Sequence, residues 1–172
     1  MLLALTTAWP AAAPAALTDD RYDGNIFALY AGNGSLVPPR SSLEQALKAH
    51  RVAVLVYYLD DNASSKQFAP VVSELQRFWG NGIDLIPLVT DPLQGRQPGG
   101  EGDPARYWRG QIPQVVVIDS AGKVRLDAVG QVPLERINQA ISAATGIPLA
   151  AGSGGGSTFS FNELNAEVVP SR

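Results

Sequence analysis

Val52-Ala53-Val54-Leu55-Val56-Tyr57-Tyr58-Leu59 is a continuous apolar run, and Asp60-Asp61-Asn62-Ala63-Ser64-Ser65 is the polar turn that follows it. The run is rich in β-branched and aromatic residues, which predicts a strand covered on both faces. Beyond the turn, Phe68, Val71, Val72, Leu75, Phe78 and Trp79 recur at helical spacing and form one apolar face. Any acceptor in the turn can cap that helix, and Ser64 with Gln67 has the spacing of a capping box. Pro70 interrupts the face, removes one backbone donor and predicts a bend.

A strand, a short polar turn and a helix interrupted at Ala69-Pro70 resemble the active-site element of thioredoxin. Set on Lys66 and Ala69-Pro70, that family's CxxC falls on Asn62-Ala63-Ser64-Ser65, yet the chain contains no cysteine. Thiol–disulfide exchange needs a thiolate of lowered pKa at the helix start and a second thiol to resolve the mixed disulfide. A serine hydroxyl is not ionised near neutrality and forms no disulfide. That activity is excluded for this chain alone, and no catalytic residue is expected.

A length of 172 residues suits one domain with extensions, and 45% apolar content with three Trp, five Phe and five Tyr suffices for a core without staples. The net charge of −3 gives no electrostatic reason to expect nucleic acid. With no cysteine and one histidine, iron–sulfur ligation and a multi-histidine metal site are excluded. No cofactor or metal is expected.

Residues 1–16 are apolar, alanine-rich and broken by Pro10 and Pro14. They are too short and too interrupted for a membrane span, which needs about 20 apolar residues, and read as the end of a secretory signal, with Ala13-Pro14-Ala15 as a small-residue cleavage site. A tail without fixed structure and an anchor are the other readings. The domain is expected over residues 17–149, a Gly/Ser linker over 150–158 and an interaction tail over 159–172. In that tail Phe159, Phe161 and Leu164 pack back on the domain or dock on a partner.

Within the domain, Asn25-Ile26-Phe27-Ala28-Leu29-Tyr30 reads as a first strand. Ser41-Ser42-Leu43-Glu44-Gln45 offers two overlapping capping boxes to a short helix that ends near His50. Ile83-Asp84-Leu85-Ile86-Pro87-Leu88-Val89 reads as a strand that Pro87 consigns to an edge or a terminus. After a long Gly- and Pro-rich loop, with a short helix capped by Asp103, come a hairpin around Ser120-Ala121-Gly122 and a last helix closed by Gly146. The order β-α-β-α-β-loop-β-β-α is an α/β, thioredoxin-like one, with the first three strands parallel and the hairpin antiparallel. Ile112-Pro113 sits where that family carries its cis-proline, facing the turn.

Asp60 and Asp61 read as acids favourable to a helix dipole rather than as metal ligands. Ser64 and Ser65 read as capping residues. By fold analogy a serine there can also hold the thiolate of glutathione, which makes a glutathione-binding enzyme the alternative. Tyr107 and Trp108, between Arg106 and Arg109, either pack under the long loop or form a contact rim. In thioredoxin-like folds the groove between turn and proline holds extended peptide. The candidate groove is therefore Asp61, Asn62, Ala63, Ser64, Ser65, Ile112 and Pro113, with Tyr107 and Trp108 at its rim.

A narrower resemblance is carried by Tyr22-Asp23-Gly24-Asn25-Ile26-Phe27-Ala28-Leu29-Tyr30-Ala31-Gly32-Asn33-Gly34-Ser35-Leu36-Val37-Pro38-Pro39. It continues in Tyr58-Leu59-Asp60-Asp61, Ser65-Lys66-Gln67-Phe68, Gly130-Gln131-Val132-Pro133 and Phe161-Asn162-Glu163-Leu164-Asn165. These resemble the cyanobacterial and chloroplast family of thylakoid membrane photosystem I accumulation factors. The resemblance implies a non-enzymatic role in photosystem I assembly at the thylakoid membrane, on the lumenal side. Its partners would be photosystem I subunits or assembly intermediates, with membrane association through a partner or the leader. A permanent accessory subunit of a membrane complex is the remaining alternative.

Overall fold

The computed structural model describes residues 16–149. Among them are the helices α1 (Ile26–Ala31), α2 (Leu43–Lys48), α3 (Ala63–Trp79) and α4 (Leu134–Thr145). The strands are β1 (Ala53–Tyr58), β2 (Asp84–Val89), β3 (Gln114–Ile118) and β4 (Val124–Val129). They form one mixed sheet in the order β2-β1-β3-β4. β2, reached through α3, runs parallel to β1, while β3 is antiparallel to both β1 and β4. A parallel neighbour requires a crossover and a hairpin partner does not, so the connections dictate this pattern.

The first expected strand is a helix instead. The side chain of Asn25 accepts hydrogen bonds from the Phe27 and Ala28 amides, and the Asp60 carboxylate accepts one from the Ile26 amide at 3.0 Å. Gly32, at φ 60°, then ends α1 in the left-handed region. A short apolar run carries no decisive period, so capping settles its conformation. The order is therefore α1-α2-β1-α3-β2-β3-β4-α4, with one parallel strand pair rather than the expected set.

Every residue of β1 is buried, and alternation sends its side chains to opposite faces of the sheet. Val54, Val56 and Tyr58 join Val115 and Val117 under α1, α3 and α4. Ala53, Leu55 and Tyr57 join Val116 and Ile118 under α2 and the loop before β3. Pro87 lies in the edge strand β2, where a missing ladder donor is tolerated. Within α3, Pro70 removes the N–H that would otherwise bond the Lys66 carbonyl, and the helix continues to Trp79.

Of the two possible boxes before α2, Ser42 with Gln45 forms. Asp103 caps a single 3₁₀ turn, Pro104–Arg106, and the Tyr57 hydroxyl donates to the Pro104 carbonyl at 2.7 Å. Gly102 passes close to α2: a Cβ there would stand 2.9 Å from the Glu44 Cβ. No helix among the described residues is long and apolar enough to cross a membrane. Residues 1–15 of the expected leader, the expected linker and the expected tail with Phe159, Phe161 and Leu164 lie outside the described residues.

Candidate functional site

The turn after β1 leads directly into α3, whose N-cap is Asn62: its side chain accepts from the Ser65 amide at 2.9 Å. Ser64 and Gln67 stand inside the helix, so their predicted capping box does not form. Gln67 instead donates to the Leu17 carbonyl at 3.4 Å. Ser65 is 1% exposed, and its hydroxyl accepts from the Leu59 amide at 3.2 Å. Ser64 is exposed. Its hydroxyl is thus the accessible one of the pair.

Neither carboxylate of the Asp60-Asp61 pair lies in the first turn of α3. Asp60 serves α1 through the Ile26 amide, and Asp61 is exposed. Desolvation raises the Asp60 carboxyl above its ordinary range, with the Ile26 hydrogen bond acting in the opposite sense. The acid that does meet the start of α3 is Asp20, whose Oδ1 accepts from the Ala63 amide at 2.8 Å. A carboxylate at that end suits both the open amide and the helix dipole.

Beside it lies Lys66, with 0% of its surface exposed. Its ammonium donates to the carbonyls of Arg21 (2.6 Å), Asp19 (3.1 Å) and Ala16 (3.3 Å). It also meets the carboxylates of Asp23 at 2.8 Å and Asp19 at 3.3 Å, and faces the Tyr30 ring at 5.6 Å. Burying an unpaired ammonium would be prohibitive, and this ring of acceptors makes it tolerable. The Lys66 hydrogen bond and the Tyr30 hydroxyl hold the Asp23 carboxyl down at about 2. Residues 16–23 are thereby strapped against the first turn of α3.

On the other side of the turn, the Ile112–Pro113 peptide is cis. The Pro113 carbonyl accepts from the Gly130 amide at 2.8 Å, and Gln131 Nε2 donates to the Ser64 carbonyl at 2.7 Å. The Gly130-Gln131 corner therefore hydrogen-bonds both to the proline loop and to the start of α3. Neither the N–H nor the C=O of Ile112 takes part in a hydrogen bond among the described residues.

Tyr107, Trp108 and Ile112 pack, partly buried, against the core on the α2 side, and the Trp108 ring centre lies 5.3 Å from that of Tyr57. The buried Gln114 amide holds this segment. Its Nε2 donates to the Tyr107 carbonyl and to Asp127, and its Oε1 accepts from the Arg109 amide. An ion pair between Arg109 and Asp127, at 2.8 Å, closes the arrangement. Tyr107 and Trp108 thus pack in part under the loop, and both keep part of their surface exposed.

Sequence reasoning did not place Lys66, Asp20, Gln131 or Gln114 at the site. The available signal was positional, because Lys66 stands between Ser65 and Phe68 on the buried side of α3. A cation at such a position needs acceptors from elsewhere in the chain. No group of three or more histidine or acidic side chains suited to a metal ion occurs among the described residues.

These features define a class: a mixed α/β domain with a thiol-free turn at a helix start, tied to a cis-proline loop and flanked by an N-terminal strap. No protein-family model matches the chain. The chain is 40% identical over 155 residues to the thylakoid membrane protein slr1796 of Synechocystis sp., covering 90% of this chain and 77% of that protein. It belongs to the family of that protein.

Proposed function

We propose that the protein is a redox-inactive, thioredoxin-like binding factor that assists the accumulation or assembly of photosystem I at the thylakoid membrane, on its lumenal side. In this reading it does so without catalysis, by holding extended segments of photosystem I subunits or assembly intermediates. The thylakoid setting rests on the Synechocystis relative, a thylakoid membrane protein. The observation that carries the binding role is the open backbone pair of Ile112 beside a helix start without a thiol. An extended segment can add to such a backbone as a strand adds to a sheet edge. The glutathione alternative is left with Ser64, because the Ser65 hydroxyl is buried and occupied.

The test is affinity capture from detergent-solubilised thylakoid membranes with the tagged full chain and with Ser64→Arg. That substitution places a fixed positive charge at an exposed position of the groove. Photosystem I subunits should be captured by the wild type and recovered several-fold less with the variant. Equal recovery by both would remove the groove from the account. Absence of photosystem I subunits from both would overturn the functional reading itself.

A further inference from the structure

The far end of α3 presents a different surface from its start. Phe78 and Trp79 in its last turn, Asn138 of α4, and Ile147 and Leu149 beyond α4 line a cleft of about 290 Å³. Phe78 is 42% exposed and Ile147 is 51% exposed. The walls are mostly apolar, but a polar group stands among them. The Trp79 indole N–H donates to Asn138 Oδ1 at 2.9 Å. This fixes the amide, since a flipped side chain would set two donors against each other. Asn138 Nδ2 is left buried and without a hydrogen-bond partner, in a residue 1% exposed. A buried orphan donor is costly and calls for an acceptor.

An apolar cleft with a spare donor fits an extended peptide that supplies rings and a backbone carbonyl together. A purely hydrocarbon ligand supplies no acceptor. The chain itself contains a matching segment, Phe159-Ser160-Phe161, in which alternation puts two phenyl rings on one side of an extended backbone. It begins ten residues after Leu149, which lines the cleft, and the sequence between is mostly Gly, Ser and Ala. A chain of that composition and length has a mean span of about 17 Å. Tethering of this kind gives an effective concentration in the millimolar range. We propose that this cleft is the docking site of the protein's own segment 159–161, its rings against Phe78, Trp79 and Ile147 and a carbonyl accepting from Asn138 Nδ2.

The test is nitrogen–proton correlation spectroscopy on the full chain, comparing wild type with the double variant Phe159→Ser/Phe161→Ser. Loss of the rings should move the Trp79 indole and Asn138 side-chain amide signals and speed solvent exchange of the latter, leaving β1 and β3 unchanged. Ile147→Glu, a change at an exposed position, should independently shift the tail signals toward those of the double variant. Unchanged Trp79 and Asn138 signals in the double variant would overturn the proposal. So would wild-type signals that revert on dilution, because the occupant would then be the tail of a second copy.

Discussion

The ammonium of Lys66 lies 2.8 Å from the carboxylate of Asp23, in a chamber closed by the carbonyls of residues 16, 19 and 21. This contact joins the first turn of α3 to the segment that precedes α1. It makes the strap part of the domain, and it gives the strap a charge on which to depend.

Replacing Lys66 by Met keeps most of the apolar stem and removes the charged end, leaving three carbonyls and two carboxylates without their common donor. Residues 16–23 should detach while the sheet persists. Hydrogen exchange should show faster exchange across residues 17–23 and little change in β1 and β3. Uniform acceleration throughout the domain, or none in the strap, would contradict this role.

The same contact predicts an acid response. Asp23 is held at about 2, below the ordinary carboxylate range, by the Lys66 hydrogen bond and then by the Tyr30 hydroxyl. A carboxyl depressed by folding contributes stability that is fully present above its unfolded pKa and is lost as pH falls through the folded one. The strap should therefore loosen between about pH 4 and pH 2. Asp23→Asn should show a loosened strap already at pH 7 and lose this part of the pH dependence. Hydrogen exchange of residues 17–23 across that range checks both.

At the start of α3, Asn62 accepts from the Ser65 amide, whereas the side chain of Ser64 caps nothing. Asn62→Ala should destabilise the domain by about 1 kcal/mol. Ser64→Ala should lie within about 0.5 kcal/mol of wild type, as surface substitutions do. Urea unfolding of both variants distinguishes this cap from a Ser64–Gln67 box, which would reverse the order.

Gly102 is needed for lack of space rather than for its dihedral freedom. An added Cβ would stand 2.9 Å from the Cβ and 3.1 Å from the Cα of Glu44, and a backbone-anchored neighbour cannot swing away. Gly102→Ala should cost about 1–3 kcal/mol by overpacking. An unchanged urea midpoint would mean that the loop before β3 yields freely.

Much of this architecture is legible in local sequence, and the exceptions share a cause. β1 and α3 are readable because one is a long uninterrupted apolar run and the other holds a 3.6-residue period over several turns. Residues 25–30 are not, because so short a run fits either conformation. What settles it includes a hydrogen bond from Ile26 to Asp60, 34 residues away. The edge position of Pro87 and the Gly146 stop follow from single-residue chemistry and are visible in advance. At the candidate site, Asn62 and the Ile112-Pro113 loop are locally marked. The Gln131 link to Ser64 spans 67 residues, and the burial of Lys66 depends on carbonyls more than 40 residues earlier. Side chains that work by tertiary contact leave no periodic trace.

Because the chain has no cysteine, Ser64→Cys carries a single thiol for a photo-activated cross-linker at the centre of the proposed groove. Lys123→Cys, in the exposed β3–β4 turn, serves as the control position. The measurement is irradiation of each labelled full chain with isolated thylakoid membranes, followed by identification of the adducts by mass spectrometry. A photosystem I subunit joined from position 64 and not from position 123 is the predicted result. Identical adducts from both positions, or no photosystem I subunit from position 64, would contradict the account.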